Sequence, residues 1–192
     1  MSIQEIFRVP IYEIKLDLNV KKLQSFCNNY KKNEGRVVSN SGGYQSNDLP
    51  LDDINLQLLI KEIEIHSSQF AKYLVSQNKQ IVTDMWFNIN LYKDINVTHQ
   101  HPGADIAGVY YIKTPNDCGN IIFEHPAQDV LAWYYGREKP KDLNFYNSEI
   151  WWMPAEVNIL YLFPGWLKHS VEANKNKTEE RISISFNVCH EQ

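Results

Sequence analysis

The sequence predicts a mainly β fold in which a double-sheet barrel, of the sandwich or jelly-roll kind, is braced by N-terminal helices. Three observations carry this reading. At least six short strand-like runs follow residue 80, Gly, Pro and Asn turns separate them, and helical periodicity is confined to the chain before them. At 192 residues the length suits one domain, with 1–80 as strand and helical support, 81–192 as the barrel, and 127–154 as an aromatic insertion.

Taken in order, Tyr12–Leu16 alternates after Pro10 and reads as an edge strand. Val20–Lys31 forms a short helix with Asn19 as N-cap and Leu23 and Phe26 inward. Asn33–Pro50, rich in Gly, Ser and Asn around Gly42-Gly43, reads as a loop. Ile54–Ser76 is the strongest helix: Leu56, Leu59, Ile60, Ile63, Phe70 and Leu74 make one apolar stripe, Asp52 or Asp53 caps it, and His66 is expected in solvent.

From Ile81 the period changes from 3.6 to 2. Met85, Phe87, Ile89 and Leu91 alternate with Trp86, Asn88, Asn90 and Tyr92, so one face is apolar and the other suits a wet cavity. Ile106–Ile112 is a buried strand and Asn120–Glu124 another. Gln128–Pro154 is a long aromatic excursion with one possible strand; Trp133, Tyr134, Tyr135, Phe145, Tyr146, Trp151 and Trp152 either pin it to the body or face a substrate. Val157–Phe163 is an apolar strand, re-aimed by Pro164-Gly165-Trp166 just before His169, and Asn174–Glu180 is a polar hairpin loop. Arg181–Cys189 separates its faces completely: Arg181, Ser183, Ser185 and Asn187 on one, Ile182, Ile184, Phe186 and Val188 on the other.

Composition narrows the function. Apolar residues make up 43% and charged residues 22%, the balance of a globular protein, and the net charge of -4 offers no basic footprint for nucleic acid. No leader pattern and no apolar run of roughly 18 residues occurs, so a cytoplasmic protein without a membrane segment is expected. Cys27, Cys118 and Cys189 are widely spaced and odd in number, which reads as reduced thiols. No G-x-G-x-x-G or P-loop is present.

Chemistry concentrates at His99 and His101. In extended backbone they leave the chain on one side, where two imidazoles can grip one ion, and Pro102-Gly103 then breaks the ladder. A third histidine, His169, follows a distant turn, and Arg181 heads a polar inward face that needs an anion. This order fits a jelly-roll metal enzyme with open positions for a bidentate cosubstrate and oxygen. His125 and His190 read as bystanders.

The chain resembles the 2-oxoglutarate- and Fe(II)-dependent oxygenases, which are prolyl hydroxylase-like, and among them a family with H-x-H-P-x-x-x-x-S-G-V-Y-Y, F-P-x-W-L-x-H-x-V and R-I-S-I-x-F-N stretches. Here these read H-Q-H-P-G-A-D-I-A-G-V-Y-Y, F-P-G-W-L-K-H-S-V and R-I-S-I-S-F-N, across roughly the C-terminal half. The resemblance implies a double-stranded β-helix, cupin-like core, with Fe(II) and 2-oxoglutarate as cofactors and dioxygen as cosubstrate. His99 and His169 would be iron ligands, and Arg181, helped by Ser183, would pair with the distal carboxylate of 2-oxoglutarate. Asn88, Tyr110 or Tyr111 would add hydrogen bonds. Where prolyl hydroxylase-like enzymes have H-x-D, this chain has His101; spacing favours His101 as third ligand, while Asp105 offers the carboxylate that is commoner in such sites. The implied reaction is oxidative decarboxylation of 2-oxoglutarate to succinate, coupled to hydroxylation of an unidentified protein side chain or small molecule. Two other readings are a non-catalytic jelly-roll binding a metal or carbohydrate, and a cupin-like enzyme using metal without 2-oxoglutarate.

Overall fold

Backbone pairing gathers the strand-like runs into two antiparallel sheets. The computed structural model describes residues 8–31, 34–74, 78–136 and 140–191. The elements are β1 (Tyr12–Lys15), α1 (Val20–Tyr30), β2 (Asn40–Ser41), β3 (Tyr44–Gln45), α2 (Gln57–Leu74), β4 (Gln80–Asn90), β5 (Ile95–His99), β6 (Ile106–Lys113), β7 (Ile121–Glu124), α3 (Gln128–Tyr135), β8 (Ile150–Met153), β9 (Ile159–Pro164), β10 (His169–Val171) and β11 (Arg181–His190). The larger sheet runs β1-β9-β6-β11-β4-β3 and the smaller β2-β5-β10-β7-β8.

Alternation along the central strands builds two cores. Ile182, Ile184, Phe186 and Val188 of β11 and Met85, Phe87 and Ile89 of β4 pack against Leu59, Ile63 and Phe70 of α2. Each fully buried side chain of this kind contributes about 1.5–3 kcal/mol. The opposite faces, with Val109 and Tyr111 of β6 and Tyr161 and Phe163 of β9, meet Ile121 and Phe123 of the smaller sheet. Helices therefore cover the outside of the larger sheet and leave its inner face to the second sheet. Among the described residues no helix is long and apolar enough to cross a membrane.

Local expectations hold where a signal was local. Asn19 caps α1, its side chain accepting from Lys22 N at 3.1 Å. Among the described residues β1 pairs only with β9 and lies at the edge of its sheet. The three cysteines are free, Cys27 and Cys118 buried.

Four expectations differ. The segment taken as a loop holds β2 and β3, one in each sheet, so it straps the two sheets together. Its turn uses Gly42 and Gly43 at φ 71° and 60°, where a Cβ would run into the Asp94 carboxylate or the Ile89 carbonyl. The second helix starts at Gln57 rather than Ile54 because the preceding residues form turns. His66 is not free in solvent: its Nδ1 is hydrogen-bonded to the Tyr12 hydroxyl at 3.0 Å. The aromatic excursion contains α3 as well as the one expected strand. The side chains of Trp133, Tyr134 and Tyr135, and positions 1–7 and 75–77, lie outside the described residues.

Gly108, mid-strand in β6, has a packing reason to be glycine. A Cβ there would run into the Phe186 ring and stand 2.8 Å from the Tyr161 carbonyl. Gly108→Ala is expected to destabilise the protein by about 1–3 kcal/mol, read as a lower urea midpoint; an unchanged midpoint would contradict this packing.

Candidate metal centre

β5 ends at His99, and His169 at the start of β10 stands directly opposite it in the smaller sheet. Opposed residues of antiparallel strands share a face, so the two rings meet at 4.3 Å between centroids. His101 lies just past the strand end. Its backbone N–H donates to the Gly165 carbonyl at 2.8 Å, and its ring lies 5.1 Å from that of His169 at an interplanar angle of 11°.

One nitrogen from each ring lies within 4.8 Å of the other two, with His101 Nε2 and His169 Nε2 3.3 Å apart. Two imidazole nitrogens bound about 2.0–2.1 Å from one ion stand roughly 3 Å apart. The cluster fits a metal ion with little ring movement.

Protonation also suits a cation. Nδ1 of His99 and of His169 lies 2.8 and 2.9 Å from the carbonyls of Val97 and Leu167. Carbonyls only accept, so Nδ1 carries the proton and Nε2 keeps its lone pair. Burial holds all three imidazoles below the ordinary histidine range; His99 lowers the other two further, His101 to about 4 and His169 to about 3. Neutral rings are the metal-binding form.

Asp105 does not join them. Its Oδ2 accepts from the His190 backbone N–H at 2.9 Å and pairs with His190 Nδ1 at 2.7 Å. Of the two alternatives, the fold gathers His101 and leaves Asp105 aside. His190 thus has a partner, and His125 Nδ1 accepts from Ala127 N at 3.0 Å within its own turn.

The same pocket reaches from the histidines to Asn88, Arg181 and Ser183 on the inner face of the larger sheet. Arg181 is only 1% exposed. Its Nη1 donates to the carbonyls of Cys118 and Glu172, which orients the guanidinium. Nη2 is buried with no hydrogen-bond partner, and so is the hydroxyl of Tyr111, which lies across the sheet from Ser183. Burial pushes the Tyr111 phenol up out of its usual range, so it stays a donor. Two buried donors, one cationic, without an acceptor are the donor set of a carboxylate site. Val109, Ile121, Phe163 and Val171 give the pocket an apolar part of its lining. Asn88 donates to Ser185 Oγ at 3.2 Å and leaves Oδ1 without a partner.

Tyr110 is corrected out of this set. It is on the helix-facing side of β6, and its hydroxyl donates to Asn158. Period-two alternation means that only one of the adjacent tyrosines can lie on the inner face of the sheet, and it is Tyr111.

Several neighbours were not singled out from sequence. Trp86 stacks on His101 at 5.7 Å and 19°, and the Arg36 guanidinium lies 5.3 Å from the centre of the Trp86 ring. Trp86 was legible as part of a polar-facing alternation; Arg36 sits in the irregular strap, where no period marks it. Phe123, 6.3 Å from the His169 ring, faces Trp151 across β7 and β8, and Trp151 meets Phe145 at 4.3 Å.

Residues 84–187, more than half of the chain, match the family model described as "Putative 2OG-Fe(II) oxygenase". No curated protein matches the chain in sequence. The fold is similar to that of a prolyl-4-hydroxylase from Pseudomonas putida, at 10% identity and a TM-score of 0.63, covering 96% of this chain and 94% of that one. It is similar too to the non-heme alpha ketoglutarate dependent epimerase SnoN from nogalamycin biosynthesis, at 16% identity and 0.68, covering 95% and 79%. A viral collagen prolyl hydroxylase from Paramecium Bursaria Chlorella virus-1 aligns at 11% identity and 0.60, covering 93% and 94%. The likeness to these structures is one of fold, the expected double-stranded β-helix with helical support.

Neutral burial of the imidazoles makes the metal-free protein acid-sensitive. Unfolded histidines take up protons below about pH 6.5, whereas folded His101 and His169 hold out to about 4 and about 3. The unfolded chain therefore binds more protons in that window, and stability present above it is lost as pH falls. The Tm of the metal-free protein is expected to drop between pH 6.5 and pH 4, and to drop less in His169→Gln. Parallel curves for the two proteins would contradict neutral burial.

Proposed function

We propose a site assignment that starts from the family: this chain belongs to the 2OG-Fe(II) oxygenases, enzymes that depend on Fe(II) and 2-oxoglutarate. His99, His101 and His169 hold the iron through Nε2, and Arg181 with Tyr111 holds the distal carboxylate of 2-oxoglutarate. The observation that carries this reading is the pair of unsatisfied buried donors, Arg181 Nη2 and the Tyr111 hydroxyl, with Arg181 lining the same pocket as the three imidazoles. When bound, iron and 2-oxoglutarate supply the oxidising chemistry: dioxygen is consumed, succinate and carbon dioxide are released, and one oxygen atom is delivered to the substrate.

The chain's own residues bind, orient and exclude water. The Cys118 and Glu172 carbonyls fix the guanidinium so that Nη2 meets a carboxylate without reorganisation. Ser183 and Asn88 supply adjacent polar atoms on the same inward face. Val109, Ile121, Phe163 and Val171 match the methylene segment between the two ends of the cosubstrate and keep water from it. The aromatic line Phe123, Trp151 and Phe145 forms the substrate wall beside His169, with Trp151 37% and Phe145 75% exposed. Its substrate is a protein side chain or a small molecule with an apolar body.

In air, the Fe(II)-loaded protein is expected to convert 2-oxoglutarate to succinate, and His169→Ala to form none. Tyr111→Phe gives a sharper reading, because the hydroxyl it removes has no protein partner. That variant is expected to bind 2-oxoglutarate roughly 3- to 10-fold more weakly while its ligand-free stability is unchanged or higher. Unchanged affinity for 2-oxoglutarate would remove Tyr111 from the assignment, and succinate formation by His169→Ala would remove the metal site.

A further inference from the structure

A metal-binding imidazole needs one nitrogen turned inward without its proton and the other tied off behind it. His99 and His169 achieve this with their own chain, through the carbonyls two residues earlier. His101 uses no such carbonyl among the described hydrogen bonds. Its Nε2 faces His169, and its ring stacks on Trp86, which lies one pleat along β4 from Asp84 and the residue paired with it on β11, Asn187.

Asn187 closes the R-I-S-I-S-F-N stretch on the polar face of β11, directly opposite Asp84 on β4. Its Nδ2 donates to Asp84 Oδ1 at 2.7 Å, while Asp84 Oδ2 accepts from the Thr83 hydroxyl at 2.9 Å. With Nδ2 on the carboxylate, the amide can only present its oxygen elsewhere. That oxygen is buried, and no donor reaches it at full hydrogen-bond geometry. A cation drawing on Nε2 would make the opposite N–H of His101 a stronger donor and complete the bond.

We propose that Asp84 and Asn187 are a positioning pair for His101: the carboxylate aims the amide, and the amide oxygen accepts a hydrogen bond from the Nδ1–H, so that the Nε2 lone pair is presented to the ion. Trp86, backed by Arg36, sets the plane of the same ring. Arg36 is in turn held by Asp48 at 2.8 Å. Ring plane and ring rotation are thus fixed from two directions. The arrangement also places an anionic charge one residue behind a neutral ligand, whereas an H-x-D stretch would put the charge on the metal itself.

This inference rests on the ligand assignment above, and the test separates the two. Metal-free wild type, His101→Ala, Asn187→Leu, Asp84→Ala and Asp84→Asn are titrated with Co(II), with affinity measured by calorimetry and the d–d absorption spectrum recorded. Asn187→Leu is expected to weaken Co(II) binding about 10- to 100-fold and to shift the spectrum, with the Tm of the metal-free protein retained. Asp84→Ala, at a half-buried position, is expected to weaken it by less, because the amide remains but is no longer aimed. Asp84→Asn keeps an acceptor for Nδ2 and restores most of the affinity. Wild-type affinity and spectrum in both Asn187→Leu and Asp84→Ala would overturn the positioning pair. Failure of wild type to bind one Co(II), or equal binding by His101→Ala, would instead overturn the ligand assignment.

Discussion

β11 has two faces, and the protein uses both. Ile182, Ile184, Phe186 and Val188 anchor the larger sheet to the helices, while Arg181, Ser183 and Ser185 line the pocket and Asn187 follows them on the same face. Register ties these roles together. A one-residue slip would drive Arg181 into the apolar layer and turn Ile184 toward the histidines, so the packing that makes the fold stable also holds the site in alignment. At its head Arg181 is a buried cation with half of its fork satisfied by carbonyls. The unmatched Nη2 costs about 1–3 kcal/mol, a cost that a carboxylate arriving in the pocket removes.

This coupling explains which parts were legible in the sequence. Where a strand lies between a core and a cavity, period-two alternation records both faces, and β4 and β11 could be read with their inward residues named. The helices α1 and α2 carried caps or stripes of their own. What escaped depends on pairing between distant segments. β2 and β3 are two residues each, too short to have a period, and they are strands only because β5 and β4 supply partners. His66 looked solvated on its helix, since nothing local announces that Tyr12 lies against it. The Asp84–Asn187 bond joins residues far apart in sequence, and Tyr110 could be told from Tyr111 only once the strand's orientation was known.

The same logic applies to the histidines. Spacing alone favoured His101 over Asp105 without excluding either, because a Pro-Gly turn can fold a carboxylate back. The fold places Asp105 against His190 and His101 against His169. A cluster of three neutral imidazoles brings no charge of its own, so a divalent ion there would keep its full attraction for an anionic chelate. With an ion bound, positive charge at both ends of one pocket would suit a dicarboxylate better than a monocarboxylate or a neutral sugar, which disfavours the carbohydrate-binding reading.

The most direct test of the account is spectroscopic. Adding 2-oxoglutarate to the Fe(II)-loaded protein without oxygen is expected to produce a visible charge-transfer band, since the keto acid would chelate the iron at one end while Arg181 holds the other. Iron that binds to the three histidines and gives no such band with saturating 2-oxoglutarate would contradict it.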